Sequence, residues 1–162
     1  MLTFAEWIAQ TAISQWLQVQ GWWFVPALQS IHILAIAVVL SSLLMLNTRL
    51  LGLSGSGLTV PQVAQRYLPW LWWGLPILAV TGTLLIVAEP VRSLWNIAFW
   101  IKMALLLVAL VLTLRFQGYA KIDPAFWENA ANKTRIRGYA VLSLIVWVGI
   151  VFGGRWIGYV NA

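Results

Sequence analysis

The sequence predicts an all-α integral membrane protein, a four-helix bundle with an N-terminal amphipathic interfacial helix. Three observations predict it. Of 162 residues, 62% are hydrophobic and 9% charged, whereas a soluble domain carries roughly 25% charge. Four apolar stretches are each long enough to cross about 30 Å of hydrocarbon at about 1.5 Å per residue. The basic residues behind the net charge of +6 flank those stretches instead of lining a soluble face, which argues against nucleic acid as a partner. The chain reads as a single membrane domain over 1–162, with an interfacial helix over 3–20 and spans over about 25–46, 68–88, 94–114 and 139–159.

The first element opens on Thr3-Phe4-Ala5-Glu6, the pattern of a capping box. Glu6, Gln10, Ser14 and Gln18 form a polar stripe opposite Ala5, Ile8, Ala9, Ala12, Ile13, Trp16 and Leu17, a division suited to a helix lying in the interface. Gly21 ends it. No basic n-region or small-residue cleavage site precedes the first span, so no removable signal peptide is read. Pro26 sits at the start of span one, where its missing N–H is tolerated. That span leaves the membrane near Asn47-Thr48-Arg49, followed by a turn rich in Gly and Ser. Thr59 and Pro61 then predict a short surface helix ending around Arg66.

Span two begins at Pro69 among Trp70, Trp72 and Trp73, and Pro76 is expected to kink it. Thr81-Gly82-Thr83 supplies small residues for close helix packing. Glu89-Pro90 ends the span, and the short Arg92-Ser93 connection predicts that spans two and three pair antiparallel. The polar stretch from Arg115 to Arg137 leaves no room for a soluble catalytic domain. Gly153-Gly154 on span four reads as a helix-packing point. Most of the twelve tryptophans fall at expected interfaces, with Trp100 and Trp147 inside spans.

Arg49 and Arg66 occupy the first loop, and Arg115, Lys121, Lys133, Arg135 and Arg137 the third; the second has only Arg92 and the C-terminal end only Arg155. The positive-inside rule therefore puts loops one and three in the cytoplasm and both termini outside, the periplasmic side of a bacterial inner membrane. The absence of cysteine excludes disulfides, thiolate metal sites and thiol nucleophiles. No phosphate loop, paired intramembrane carboxylates, Ser-His-Asp set or histidine box supports an enzyme.

Ionisable groups within spans are costly and mark candidate sites. His32 lies nine residues past Trp23, about 13 Å from the outer interface at 1.5 Å per residue. Lys102, seven residues past Trp95, is about 10 Å deep, and Arg155, four before Tyr159, about 6 Å. Glu89 marks the outer end of span two, and Gln29 stands one turn above His32. Imidazole is a common haem ligand, so His32 can hold haem b iron, with Lys102 and Arg155 as propionate or anion partners. Alternatively His32 hydrogen-bonds across helices, Lys102 snorkels outward, and Glu89 pairs with Arg155.

Pro26 through His32, Asn47-Thr48-Arg49-Leu50-Leu51-Gly52, Thr81-Gly82 and Asn96-Ile97-Ala98-Phe99-Trp100-Ile101-Lys102 together resemble a family of small, uncharacterised bacterial four-helix membrane proteins, over roughly Trp22 to Tyr159. Leu28-Gln29 stands where that pattern carries an acidic residue before the histidine. The bundle is also similar at fold level to copper-resistance D and cytochrome b-type membrane proteins, which use several histidines where this chain keeps one.

The leading functional expectation is a non-enzymatic membrane subunit or accessory protein. It would form a homo-oligomer, or join a larger complex or a periplasmic partner at the outer face. A haem b or quinone-linked electron-transfer protein using His32 is the alternative, and a small transporter or ion-conducting oligomer the third.

Overall fold

The computed structural model describes residues 2–20, 22–54, 57–122, 124–127, 129–157 and 159, and the side chains of these except 2, 3, 120–122, 124, 125 and 130. The expected Thr3 cap, the Gly21 stop, Gly55-Ser56 and Asp123 lie outside that description. Among the described residues the chain is all helical, in the order α1 (Leu2–Ala9), α2 (Ala12–Val19), α3 (Phe24–Leu51), α4 (Val60–Ala88), α5 (Pro90–Leu94), α6 (Ile97–Ile122) and α7 (Lys133–Trp156), with 3-10 turns at Pro124–Trp127 and Ala130–Asn132. α3, α4, α6 and α7 are long and apolar enough to cross a membrane. The protein is a multi-pass membrane bundle.

The N-terminal segment forms two helices, not one over 3–20. The break falls at Thr11, whose Oγ1 accepts from the Ser14 N–H at 3.3 Å and donates to the Ile8 carbonyl at 2.7 Å. A hydroxyl that can cap offers the backbone an alternative to continuing the helix. The predicted polar stripe does not simply face water either. Ser14 is buried and donates to the Val87 carbonyl at 2.7 Å, whereas Ile13 and Trp16 are exposed. Val87 is in the last turn of α4, where carbonyls lack intrahelical donors. Ser14 therefore docks the segment by completing the end of α4, with Ala5 and Leu17 buried beside it.

α3 closes at Gly52, which adopts φ +76, with its N–H on the Arg49 carbonyl and the Leu53 N–H on Thr48 at 2.9 Å. This left-handed cap is where glycine avoids the Cβ penalty. Thr59 and Gln62 form a reciprocal capping box at the start of α4. The expected short surface helix ending near Arg66 is not separate. α4 runs unbroken for 29 residues through Pro69 and Pro76. Both prolines are exposed, so neither ring meets the packed face.

The predicted pairing of spans two and three is also corrected. α4 and α6 run antiparallel but scarcely touch; α3 packs along α4 and α7, and α6 packs along α7. Glycines explain the choice of neighbours. A Cβ on Gly74 of α4 would lie 2.5 Å from Val39 Cγ2 of α3, and one on Gly149 of α7 would lie 3.1 Å from Leu105 Cδ1 of α6. Small residues at these crossings let backbones approach, the main source of helix association in lipid. The helix α5 spaces α4 from α6.

A polar tie joins α3 to α7. Asn47, 1% exposed, donates through Nδ2 to the Leu43 carbonyl at 2.9 Å and to Ser143 Oγ at 3.3 Å. Trp147 is buried in the central apolar cluster with Val39, Leu71 and Ala109. Trp100 is exposed, its indole N–H on the Leu94 carbonyl at 3.0 Å.

Gly74→Ala is expected to lower unfolding stability in detergent by about 1–3 kcal/mol through overpacking against Val39. Pairing it with Val39→Ala should recover part of the loss, and equal stabilities of the single and double variants would contradict this close approach.

Candidate functional site

His32 lies eight residues past the start of α3, about 12 Å along the axis. Its Nδ1 is 2.7 Å from Thr81 Oγ1 on α4. The Thr81 hydroxyl has one proton, and it points to the Ile77 carbonyl at 2.6 Å. Both contacts are hydrogen bonds at once only when Thr81 accepts and His32 Nδ1 donates; a hydroxyl turned to Nδ1 would forgo the Ile77 bond and put the ring proton on an unpaired Nε2. The arrangement that makes both bonds is the Nδ1–H tautomer, which has an unprotonated lone pair at Nε2. The ring is half-buried, and Nε2 has no hydrogen-bond partner among the described residues. Gly82 flanks the ring, since a Cβ there would come 3.4 Å from Cε1.

Lys102 approaches from α6, five residues past the start of that helix, about 7.5 Å along its axis. Its stem lies on the α7 glycines. A Cβ on Gly153 would be 3.5 Å from Lys102 Cβ, and one on Gly154 would be 3.5 Å from Nζ. The side chain thus climbs from Gly153 to Gly154 towards the end of the bundle while remaining against α7. No hydrogen bond or ion pair engages Nζ among the described residues. A half-buried ammonium without a counter-ion in a low-dielectric setting favours an anionic group beside it.

The start of α6 is fixed by Asn96, 2% exposed. Its Oδ1 accepts from the Ala98 N–H at 2.9 Å, and its Nδ2 donates to the Ile157 carbonyl at 3.2 Å. In the Asn-x-x-Phe-x-x-Lys segment, then, Asn96 caps the helix and ties it to the end of α7, Phe99 is buried, and Lys102 reaches the site.

His32 and Lys102 are both half-buried at the same end of the bundle. Gln29 is exposed. Arg155 is exposed too, donating to Tyr159 Oη at 2.7 Å with its guanidinium 5.1 Å over that ring. Glu89 pairs with Arg92 at 2.8 Å, not with Arg155, and both side chains are at least half exposed. Sequence reasoning missed Thr81 as the histidine's partner and Gly154 as the bed for Lys102. The Gly153-Gly154 pair and the threonine read locally as packing residues, and only the antiparallel register of α3 with α4 and of α6 with α7 shows what they face. Among the described residues there is no group of three or more His, Asp or Glu side chains that could hold a metal ion.

No curated protein and no solved structure matches this chain. A family model does, over residues 4–160, with the description "family of unknown function (DUF6644)". That match takes in both terminal helices, the whole bundle and every residue of the His32 site, so the chain belongs to DUF6644.

Proposed function

We propose that this protein is a non-enzymatic membrane subunit that holds haem b through His32. The observation that carries the reading is the His32–Thr81–Ile77 chain. It leaves Nε2 as a free lone pair, while a hydrogen bond from the opposite nitrogen fixes the ring, the arrangement that ligating histidines use. Lys102 supports the same reading. Its ammonium lies nearer the helix ends than His32, and a porphyrin carboxylate would satisfy it. When bound, haem supplies one-electron chemistry. The chain's own residues hold the imidazole in one tautomer, offer a cation to an acid group, and surround both with apolar helices.

A second reading, an accessory subunit docking a partner at the His32 end, draws on α1 and α2. These present Phe4, Trp7, Ile13 and Trp16 outward while Ala5, Ser14 and Leu17 anchor them. Lipid at the interface satisfies the same rings, so this reading ranks below the first. On either reading the basic end faces the cytoplasm of a bacterial inner membrane and the His32 end faces out.

Protein purified from haem-replete cells is expected to show a Soret band that His32→Ala abolishes. Lys102→Gln should keep the band but weaken haem affinity by about tenfold or more, the scale of a charge-assisted hydrogen bond. A colourless wild-type protein that also fails to bind added haemin would reject the haem reading. Because the chain has no cysteine, single-cysteine probes report orientation cleanly. Gln15→Cys is expected to react with an impermeant maleimide on intact spheroplasts, and Asn129→Cys only after permeabilisation; the reverse pattern would invert the topology.

A further inference from the structure

The end of the bundle opposite His32 carries a lipid-facing feature that the haem reading does not use. Seven of the ten basic residues lie there by sequence (Arg49, Arg66, Arg115, Lys121, Lys133, Arg135 and Arg137), against two of the four acidic ones (Asp123 and Glu128). Most such residues sit in loops or at helix starts, where the positive-inside rule suffices to explain them. Arg115 is different. It follows directly on the apolar run that ends at Leu114, on the part of α6 that continues as helix to Ile122, which puts it at headgroup depth. It is exposed and has no hydrogen bond or ion pair among the described residues. A guanidinium at headgroup depth without a counter-ion among the described residues is placed to take one from the lipid.

The register of α6 on α7 supplies its neighbour. Lys102 meets Gly153, Leu105 meets Gly149, and Phe116 stacks on Tyr139 with ring centroids 5.6 Å apart. Arg115 is thereby level with Tyr139 and Ala140, and Arg135 with Tyr119. Tyr139, Gly149 and Gly153 form the stripe of α7 that faces α6, and Arg135 extends it by one turn. Arg135 is exposed and likewise without a partner among the described residues, and Tyr119 stands exposed beside it. The two arginines are therefore staggered by four to five residues, or about 6–7.5 Å along the axes, on the flank where α6 and α7 meet. That stagger is within the reach of two arginine side chains towards one group. Further into the membrane the same flank presents exposed Val111 and Leu142.

We propose that the lipid-facing groove between α6 and α7 at the basic end is a binding site for an anionic phospholipid, whose phosphate bridges Arg115 and Arg135 and whose acyl chains run past Val111 and Leu142. Guanidinium forks match phosphate oxygens in geometry as well as charge. Anionic lipid also attracts basic residues at a membrane surface. The site is independent of any ligand at His32.

The test compares the full-length protein in vesicles of phosphatidylcholine alone and of phosphatidylcholine with phosphatidylglycerol, reading the thermal unfolding midpoint, with native mass spectrometry of lipid retained after gentle detergent extraction. Wild type is expected to unfold at higher temperature with phosphatidylglycerol and to retain it. Arg115→Gln/Arg135→Gln should lose about half or more of that shift and the retained lipid. Lys133→Gln, which removes one charge from the same end, should keep both. An equal midpoint in the two vesicle types, or an equal reduction in Lys133→Gln and the double variant, would overturn a specific site. Should the double variant fail to fold, Arg115→Lys decides. It keeps the charge but loses the fork, and is expected to fold and to show a reduced shift; a full wild-type shift would overturn the proposal.

Discussion

In hydrocarbon a hydroxyl cannot turn to water, and that constraint governs the centre of this protein. Thr81 has one proton to give. Given to its own helix, through the Ile77 carbonyl at 2.6 Å, it leaves the hydroxyl to receive from His32 at 2.7 Å, and this is the arrangement in which both bonds form. One short chain of hydrogen bonds therefore does three things. It ties α3 to α4, it fixes which imidazole nitrogen carries the proton, and it leaves the other nitrogen free. Polar groups paired in a low-dielectric interior are strong and directional for the same reason that unpaired ones are costly.

The remaining polar ties follow the same logic at other places in the bundle. Ser14 completes the end of α4, Asn96 caps α6 and reaches the end of α7, and Asn47 links α3 to Ser143 of α7. Each finds a backbone or side-chain group that lipid cannot satisfy. Between them the glycines set distance. Gly74 brings α3 and α4 together below His32, and Gly149 and Gly153 bring α6 against α7 beside Lys102. The order of helices around the bundle is thus α4, α3, α7, α6, and the two cationic or titratable side chains approach from helices that do not directly pack on one another.

The four long helices were legible because hydropathy over some twenty residues leaves little choice of structure. Depth was legible as well, because 1.5 Å per residue converts position to height. Azimuth was not. Glu89 was read as a partner for Arg155 because both lie at one end of the bundle, yet Arg92, three residues away, is on the same helical face and takes it. Thr81 was read as a packing residue for want of any local sign that His32 stands opposite. Ser14 looked solvent-facing by periodicity, and its burial follows from where the segment docks, which no helical wheel contains. Pro69 suggested a break in α4, but an exposed proline near the end of a span costs only a hydrogen bond on the outward face. The candidate site was thus half visible: His32 and Lys102 stood out as ionisable groups in apolar runs, and the residues that orient them did not.

The central claim is the enforced tautomer of His32. It is the only histidine in the chain, so a protein carrying 15N in its imidazole gives the spectrum of that one ring. In lipid bilayers without added ligand, the account predicts a protonated Nδ1 and an unprotonated Nε2, retained in Thr81→Ser and lost or mixed in Thr81→Val. A ring protonated at Nε2 in the wild type, or a spectrum unchanged by Thr81→Val, would contradict it.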